Sequence, residues 1–435
     1  MIRRKRAATF PGRGASGLPA GIAIAKGGGG TRARPAPARP VVVHPGVIRV
    51  SSVAKEILQF MTLALRLARR GYGATSPNPM VGAVLVKGGK IIGRGWHRRA
   101  GWPHAEIEAL ADAKKHGRHP RGATLYVTLE PCCTHGRTPP CSEAIIRAGI
   151  KRVVVGATDP NPRHRGRAFA ILRRAGIEVL ELSKTSGQTR SGAPHRLLAA
   201  ECARLNEAFH HWIVHRRPFV TVKAAMTADG KLATVSGESK WITGEKARAL
   251  GMKWRQGADA ILVGVNTVVA DNPSLTFRSA RAARVRPLRR IVLDSMARTP
   301  LSANVVSDEC AMLTTIVTGP GAPKKRVAAL KQRVNVLVAP LQKSAIDLGW
   351  LLKKLGAESV TALLVEGGGE VNASFLLGGF AQRIAFFYAP RIVGGRDARK
   401  GVAGAGIQRL ADAIRLRDVE WKRLGPDLFL TARVG

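Results

Sequence analysis

Residues 183–196, SKTSGQTRSGAPHR, hold no hydrophobic side chain larger than alanine and proline. Such a Ser/Thr/Gly-rich stretch has nothing to bury and reads as a linker. It divides a chain of 435 residues, which is more than one hydrophobic core ordinarily organises, into two series of strands and helices. The expected organisation is an α/β domain over 51–182, a linker and bridging helix over 183–217, and a second α/β domain over 218–435, preceded by a leader at 1–50.

In the first series, SSVAKEILQFMTLALRLARRG has a serine at the capping position, helical apolar spacing and a terminal glycine, and predicts a helix. MVGAVLV and KIIGRGW around Gly88-Gly89 predict a hairpin. HAEIEALADAKKHG, CSEAIIRAG and RAFAILRRAG read as helices, and ATLYVTLE, KRVVVGA and IEVLEL as strands. The alternation predicts a three-layer α/β/α arrangement. In the second series PFVTVKAAM, DAILVG, RRIVLDS, LTTIVT, VNVLVAP, TALLVEGGG and RIAFFYAP read as strands, and EKARALGMKWRQG and EVNASFLLGG as helices. The basic run RSARAARVRPLRR reads as a solvated loop.

The leader carries ten Lys/Arg and no Asp/Glu, and its Gly, Pro and Ala content cannot offset the entropy of ordering. A disordered extension, an organelle transit peptide, and translation begun upstream of Met61 all fit it. The net charge is +43, of which +33 remains without the leader, so the excess is spread over the chain. High Arg usage on solvated faces is the favoured reading and a polyanion partner for the basic extension the weaker one. No apolar run approaches a membrane span. Five cysteines form no disulfide framework, and a cytoplasmic setting is expected.

Two of those cysteines, Cys132 and Cys141, flank the loop of PCCTHGRTPPC, which follows a strand and opens a helix. With His104 of PHAEIEAL they provide one imidazole and two thiolates, a catalytic zinc set that leaves a position for water. Glu106 stands two residues beyond His104, placed to move a proton between water and a leaving amine. His-x-Glu followed by Pro-Cys is the pattern of hydrolytic zinc deaminases. A structural zinc is the weaker alternative, and Cys133 as a fourth ligand would close the open position. Eight residues separate the two cysteines, where nucleic-acid and nucleoside deaminases have two, and 5% aromatic content leaves a nucleic-acid-editing deaminase few stacking platforms.

That spacing, with TSPNPMVGAVLV, GWHRRAGWPHAE, TLEPCCTHGRTPPC and DPNP, resembles the deaminase half of the bifunctional deaminase/reductases of riboflavin biosynthesis. The resemblance implies a cytidine-deaminase-like fold, zinc on His104, Cys132 and Cys141, and Glu106 as proton carrier. It further implies Asn78 and His97 as residues that hold the pyrimidine ring, and Arg137 as a contact to the substrate phosphate. Here Thr134 stands where the family commonly has histidine and His135 follows, so either can face the ring. Ala168 stands where a second glycine is frequent.

In the second domain LLVEGGGEVNASFL runs from strand through three glycines into a helix, a geometry that admits a phosphate to backbone N–H groups. On its own it is equally a tight turn. With VKAAMTADGKLAT, GESKWITG, ILVGVNTVVADNPSLTFR and RIVLDS it resembles the reductase half of the same enzymes, implying a dihydrofolate-reductase-like α/β fold and NADPH. By that resemblance the cofactor site includes Ala225, Trp241, Thr267, Asp271 and Ser295 with the run Gly368, Gly369, Glu370, Val371, Asn372, Ala373 and Ser374. Ser239, Arg255, Leu275, Arg278 and Glu366 match substrate-contacting positions, and two arginines suit a ribose 5-phosphate. Lys223 is a candidate to polarise C1 of the sugar, with a buried salt bridge as its alternative role. The expected whole is one chain with a Zn2+ site and an NADPH site, acting in succession on a phosphorylated pyrimidine, and self-associating.

Overall fold

Ile57, Phe60, Met61, Ala64, Leu65 and Ala68 recur at three- and four-residue intervals, and the helix they specify, α1 (Ser52–Ala68), buries all six. The computed structural model describes residues 52–135, 139–184, 193–277 and 286–435; the leader 1–50, Arg137 and Arg278 lie outside the described residues. After α1 come β1 (Gly82–Lys87) and β2 (Lys90–Trp96), joined through Gly88 and Gly89 at φ 53° and 72°, a left-handed turn that glycine adopts without penalty. Then follow α2 (Ala105–Lys115), β3 (Thr124–Leu129), α3 (Cys141–Arg147), β4 (Arg152–Ala157), α4 (Arg167–Arg174) and β5 (Glu178–Glu181).

The first sheet has the order β2-β1-β3-β4-β5, with β1 antiparallel to both neighbours and β3, β4 and β5 parallel. A Cβ on Gly95 of β2 would lie 2.2 Å from the Ala105 carbonyl oxygen. Glycine there lets the first turn of α2 lie directly on the sheet, which fixes the position of His104 and Glu106.

The bridge is two helices, α5 (Ala193–Leu205) and α6 (Glu207–His215), where the sequence predicts one. The break falls at Asn206, whose side chain turns away to accept from the Met80 N–H (2.7 Å) and donate to the Met80 carbonyl (2.8 Å). An asparagine that bonds elsewhere competes with helix continuation.

The second domain runs β6 (Phe219–Thr227), α7 (Glu245–Gln256), β7 (Ala260–Gly264), α8 (Val265–Asp271), β8 (Arg289–Leu293), α9 (Asn304–Ser307), β9 (Thr314–Thr318), α10 (Lys324–Lys331) and β10 (Asn335–Val338). It continues through the short β11 (Leu341–Gln342) and β12 (Ala345–Ile346) to α11 (Leu348–Ala357), β13 (Ala362–Val365), α12 (Gly369–Leu377), β14 (Arg383–Ala389), β15 (Leu416–Leu424) and β16 (Asp427–Val434). The nine-stranded order is β10-β9-β8-β7-β13-β6-β14-β16-β15, all parallel except β16, which is antiparallel to both of its neighbours. Both sheets belong to one compact unit.

Besides the split bridge and the helices α8 to α11, which the sequence reading did not single out, two features differ from the sequence expectation. The β15–β16 hairpin went unread because β15, LRDVEWKRL, is an exposed sheet edge with no buried face to pattern it. The basic run predicted to be a solvated loop ends inside β8, where Arg290 is 0% exposed. Its guanidinium donates twice to Asp308 (2.6 and 2.8 Å), and also to Thr314 Oγ1 and the carbonyls of Ser274 and Val305. A buried arginine is tolerable only when every donor is met in this way.

Candidate active sites

His104 is the N-cap of α2, and Cys141 opens α3, which brings three ligand atoms together across the C-terminal end of β3. His104 Nδ1 lies 3.5 Å from Cys132 Sγ and 3.3 Å from Cys141 Sγ, and all three atoms fall within 4.8 Å of one another. A tetrahedral zinc with ordinary Zn–N and Zn–S bonds sets its N···S edges at about 3.6 Å, so the trio fits that ion.

The electrostatics agree with the geometry. A hydrogen bond from Cys141, whose own thiol is pushed up, and a second from His104 hold Cys132 down to about 4. The hydrogen bond to Cys132 raises His104 to about 9. Hydrogen bonds that favour the thiolate of Cys132 favour the form that binds a metal, and zinc would take the place of the proton that His104 now shares with it. The Cys141 backbone N–H adds a further donor to Cys132 Sγ at 3.3 Å. Glu106, 3% exposed, is driven up to about 7 by burial, and its carboxyl reaches the Cys141 thiol.

Asn78 and His97 form the adjoining wall. The His97 ring is buried, meets His104 edge-on at 5.3 Å, and places Nδ1 3.0 Å from the Pro103 carbonyl. A carbonyl only accepts, so the proton is assigned to Nδ1, and Nε2 accepts from Asn78 Nδ2 at 3.2 Å. Burial holds His97 below its ordinary pKa, hence neutral. Both of its nitrogens are thus engaged within the protein, and Asn78 is the group it orients. His135 is exposed and faces Glu143 at 3.5 Å, while Thr134 Oγ1 lies 3.4 Å from His164 Nε2. Cys133 Sγ sits 3.8 Å from His164 Nδ1 and stands apart from the ligand trio.

Sequence reasoning missed Glu130. Its buried carboxylate accepts the N–H groups of Asp159, Gly166 and Ala168 at 3.0–3.2 Å, tying the 159–168 loop to the end of β3. Ala168 is fully buried there, which accounts for a residue with a Cβ at that place. The cue lay in LEPCC, a carboxylate at a strand end beside a proline turn.

In the second domain Lys223, Ala225, Ser239, Trp241, Asp271 and Glu366 line a cavity of about 300 Å³. It shares Leu232, Thr267, Gly368 and Arg399 with a neighbouring cavity of about 870 Å³, also lined by Gly369, Glu370 and Val371. The larger cavity faces the start of α12, whose N-cap Gly368 makes no side-chain cap bond, so its first N–H groups are open to an anion. Arg396, Arg399 and Lys400 line the same space. These cations, legible only as GGRDARKG in the sequence and not singled out there, suit the phosphates of NADPH.

Other expected residues lie deeper. Asn372 and Ala373 are buried, with Asn372 Nδ2 donating to the Gly401 carbonyl at 2.8 Å, so they hold the 396–404 loop from behind. Ser374 Oγ donates back to the Glu370 carbonyl. Ser295, beyond β8, accepts the Gly319 N–H and lines neither cavity. Leu275 is buried at φ 52°. Arg255 donates to both oxygens of Glu366 and to the Thr276 carbonyl, so its fork is filled by protein groups and not presented to a phosphate. Lys223 Nζ is 3.4 Å from Glu366 Oε2 and remains at the cavity wall.

The fold and these two sites define a zinc deaminase domain joined to an NADPH-dependent reductase domain. Residues 54–157 match the cytidine and deoxycytidylate deaminase zinc-binding region, and residues 218–430 match the RibD C-terminal domain. The riboflavin biosynthesis protein RibD of Actinobacillus pleuropneumoniae is 44% identical over 86% of this chain and 94% of its own length. That of Escherichia coli K12 is 37% identical over 85% and 97%. Among solved structures, Acinetobacter baumannii RibD (form 1) superposes with TM-score 0.74 at 34% identity, covering 88% of this chain and 99% of its own. A diaminohydroxyphosphoribosylaminopyrimidine deaminase/5-amino-6-(5-phosphoribosylamino)uracil reductase from Thermotoga maritima does so at 0.71 and 33%, covering 88% and 100%. The chain belongs to the RibD family of bifunctional riboflavin biosynthesis enzymes.

Proposed function

We propose that the first site deaminates 2,5-diamino-6-(5-phosphoribosylamino)pyrimidin-4-one and that the second reduces the ribosyl group of the product, 5-amino-6-(5-phosphoribosylamino)uracil, to ribityl. The observation that carries the reading is the His104–Cys132–Cys141 triangle with the buried Glu106 beside it on the same helix turn. His104, Cys132 and Cys141 would hold zinc, which supplies a Lewis acid that acidifies water. Glu106 takes a proton from the attacking water and delivers it to the departing amine, a task suited to a carboxyl held near neutrality by burial. Asn78, fixed by His97, hydrogen-bonds the pyrimidine edge. Arg137 is assigned to the phosphate, and His135 to the ring.

NADPH supplies hydride when bound, and the start of α12 with Arg396, Arg399 and Lys400 would hold its phosphates. Thr267, Asp271 and Trp241, which line the smaller cavity, would flank it. Lys223 Nζ donates a proton toward oxygen at C1 of the sugar, while the Arg255–Glu366 pair holds the lysine in place. Ser239, at the wall of the smaller cavity, and Arg278 are assigned to the substrate. All five cysteines are free, in keeping with a reducing cytoplasm, and the exposed edge of β15 offers a surface for self-association.

The test is NADPH oxidation by the zinc-loaded chain given the diaminopyrimidinone substrate, beside Glu106→Gln. Oxidation by the wild type, absent in the variant and restored by supplying the deaminated intermediate, is the expected result. No oxidation even with the intermediate would remove the reductase assignment.

A further inference from the structure

The loop that carries Asn78 is built against the other half of the chain. The Arg286 N–H donates to the Gly73 carbonyl at 3.1 Å, Tyr72 Oη donates to the Lys253 carbonyl at 3.0 Å, and the Gln256 amide donates to the Tyr72 carbonyl at 3.2 Å. Beyond Asn78, Asn206 clasps both backbone groups of Met80. The approach is too close for side chains: a Cβ on Gly73 would lie 2.4 Å from the Gln256 carbonyl oxygen, and one on Gly257 2.1 Å from Tyr72 Oη.

At the centre of this contact is a closed ring of four side chains. Arg286 Nη1 lies 3.3 Å from Ser76 Oγ, Ser76 Oγ 3.2 Å from Thr361 Oγ1, Thr361 Oγ1 2.7 Å from Asp259 Oδ2, and Arg286 Nη1 3.3 Å from Asp259 Oδ1. A carboxylate only accepts, so Thr361 spends its proton on Asp259 and must accept from Ser76, which in turn accepts from Arg286. Every hydroxyl direction is thereby fixed. Thr361 and Asp259 are buried, and Asp259 also takes the backbone N–H groups of Thr361 and Ala362 at 2.6 and 3.1 Å, so the anchor belongs to the rigid start of β13. Ser76 lies two residues before Asn78, inside the turn closed by the Asn78 N–H on the Thr75 carbonyl at 2.8 Å.

We propose that Ser76, together with Thr361, Asp259 and Arg286 of the reductase half, are positioning residues for deamination: the reductase sheet completes the deaminase site by fixing the turn that aims Asn78. The proposal rests on Asn78 contacting the pyrimidine, as set out above. It assigns the fused reductase domain a role in the first reaction that is separate from its own chemistry. A binding contact loosened in this way shows as a higher KM with little change in kcat.

The experiment uses the full zinc-loaded chain, with deamination followed by ammonia release and reduction followed separately on supplied intermediate. Ser76→Ala and Thr361→Val are expected to raise the deaminase KM about tenfold, since sub-ångström aim matters at that scale. Zinc content and the reductase kcat/KM stay at wild-type levels, and Thr361→Ser recovers the wild-type KM. In an Asn78→Ala background, Ser76→Ala adds nothing further, because both act through one group. Wild-type KM in the two variants overturns the proposal. So does a Ser76→Ala effect that persists without Asn78, or parallel loss of both activities with a lowered Tm. A wild-type chain that releases no ammonia removes the underlying deaminase reading and the proposal with it; active wild type with silent variants removes the proposal alone.

Discussion

Glu366 and Arg255 meet at two points, Nε to Oε1 and Nη2 to Oε2, each at 2.9 Å, with Lys223 Nζ 3.4 Å from the second oxygen. Burial pushes the Glu366 carboxyl up, but the two cations outweigh it and hold the group down to about 2. The folded pKa lies below the ordinary carboxylate value. The stability this pair confers is therefore complete above about pH 4.5 and is lost as pH falls toward 2. Arg255→Ala strands a buried carboxylate and is expected to cost about 3–5 kcal/mol in urea unfolding at pH 7. The deficit should shrink at pH 3; an equal deficit at both pH values would separate the loss from the charge.

Zinc binding and proton transfer are separable. Cys132→Ser is expected to lose zinc and deamination together while still reducing supplied intermediate at the wild-type rate. Glu106→Gln keeps one zinc per chain and deaminates about 10²- to 10⁴-fold more slowly, the range for a positioned acid–base group. Metal analysis and ammonia release, run on the same preparations, check both statements. A Glu106→Gln protein stripped of zinc would make the carboxylate a structural partner of the ligands instead.

How far the sequence could be read depended on whether the information was local. His104, Glu106, Cys132 and Cys141 were legible because their chemistry recurs at fixed short spacings around a strand and a helix start. The Gly368–Val371 turn was legible for the same reason. Arg255 drew notice only as a match to a substrate-contacting position, and its ion pair was not legible, since its partner Glu366 lies 111 residues away. Ser76, Asp259, Arg286 and Thr361 carry no local pattern at all, because only the contact between the halves unites them. The β15 edge gave no period because all but its last residue are exposed.

The helix α6 stores an acid sensitivity. His210 and His211 are both lowered to about 4, His210 by burial alone and His211 by burial with added repulsion from His215 and Arg217. Each stays neutral in the folded chain while the unfolded chain takes up a proton below about pH 6.5. Stability from these groups is present above pH 6.5, falls as pH drops toward 4, and changes no further below that. Thermal unfolding between pH 7 and 4 should show that slope, and His210→Leu/His211→Phe should flatten it. A double variant with an unchanged slope would place the acid sensitivity elsewhere.

Arg289 and Arg290 are adjacent in sequence and opposite in environment. Arg289 pairs with Glu358 at 2.8 Å with both side chains partly in solvent, 27% and 36% exposed, whereas Arg290 is fully enclosed. Strand alternation sends neighbours to opposite faces, so a basic run that looks uniform splits into a solvated cation and a core one. Exposed pairs contribute little, so Arg289→Ala is expected to cost under about 1 kcal/mol. Arg290→Ala leaves the Asp308 carboxylate with the Cys310 N–H as its remaining partner, takes the arginine donor from Thr314 Oγ1 and the Ser274 carbonyl, and is expected to cost about 3–5 kcal/mol. Urea unfolding of the two variants side by side decides it, and similar losses from both would mean that solvent reaches Arg290. Because Arg290 also holds the Ser274 carbonyl, one residue from the buried Leu275, its loss should raise the reductase KM for the pyrimidine even at temperatures where the variant stays folded.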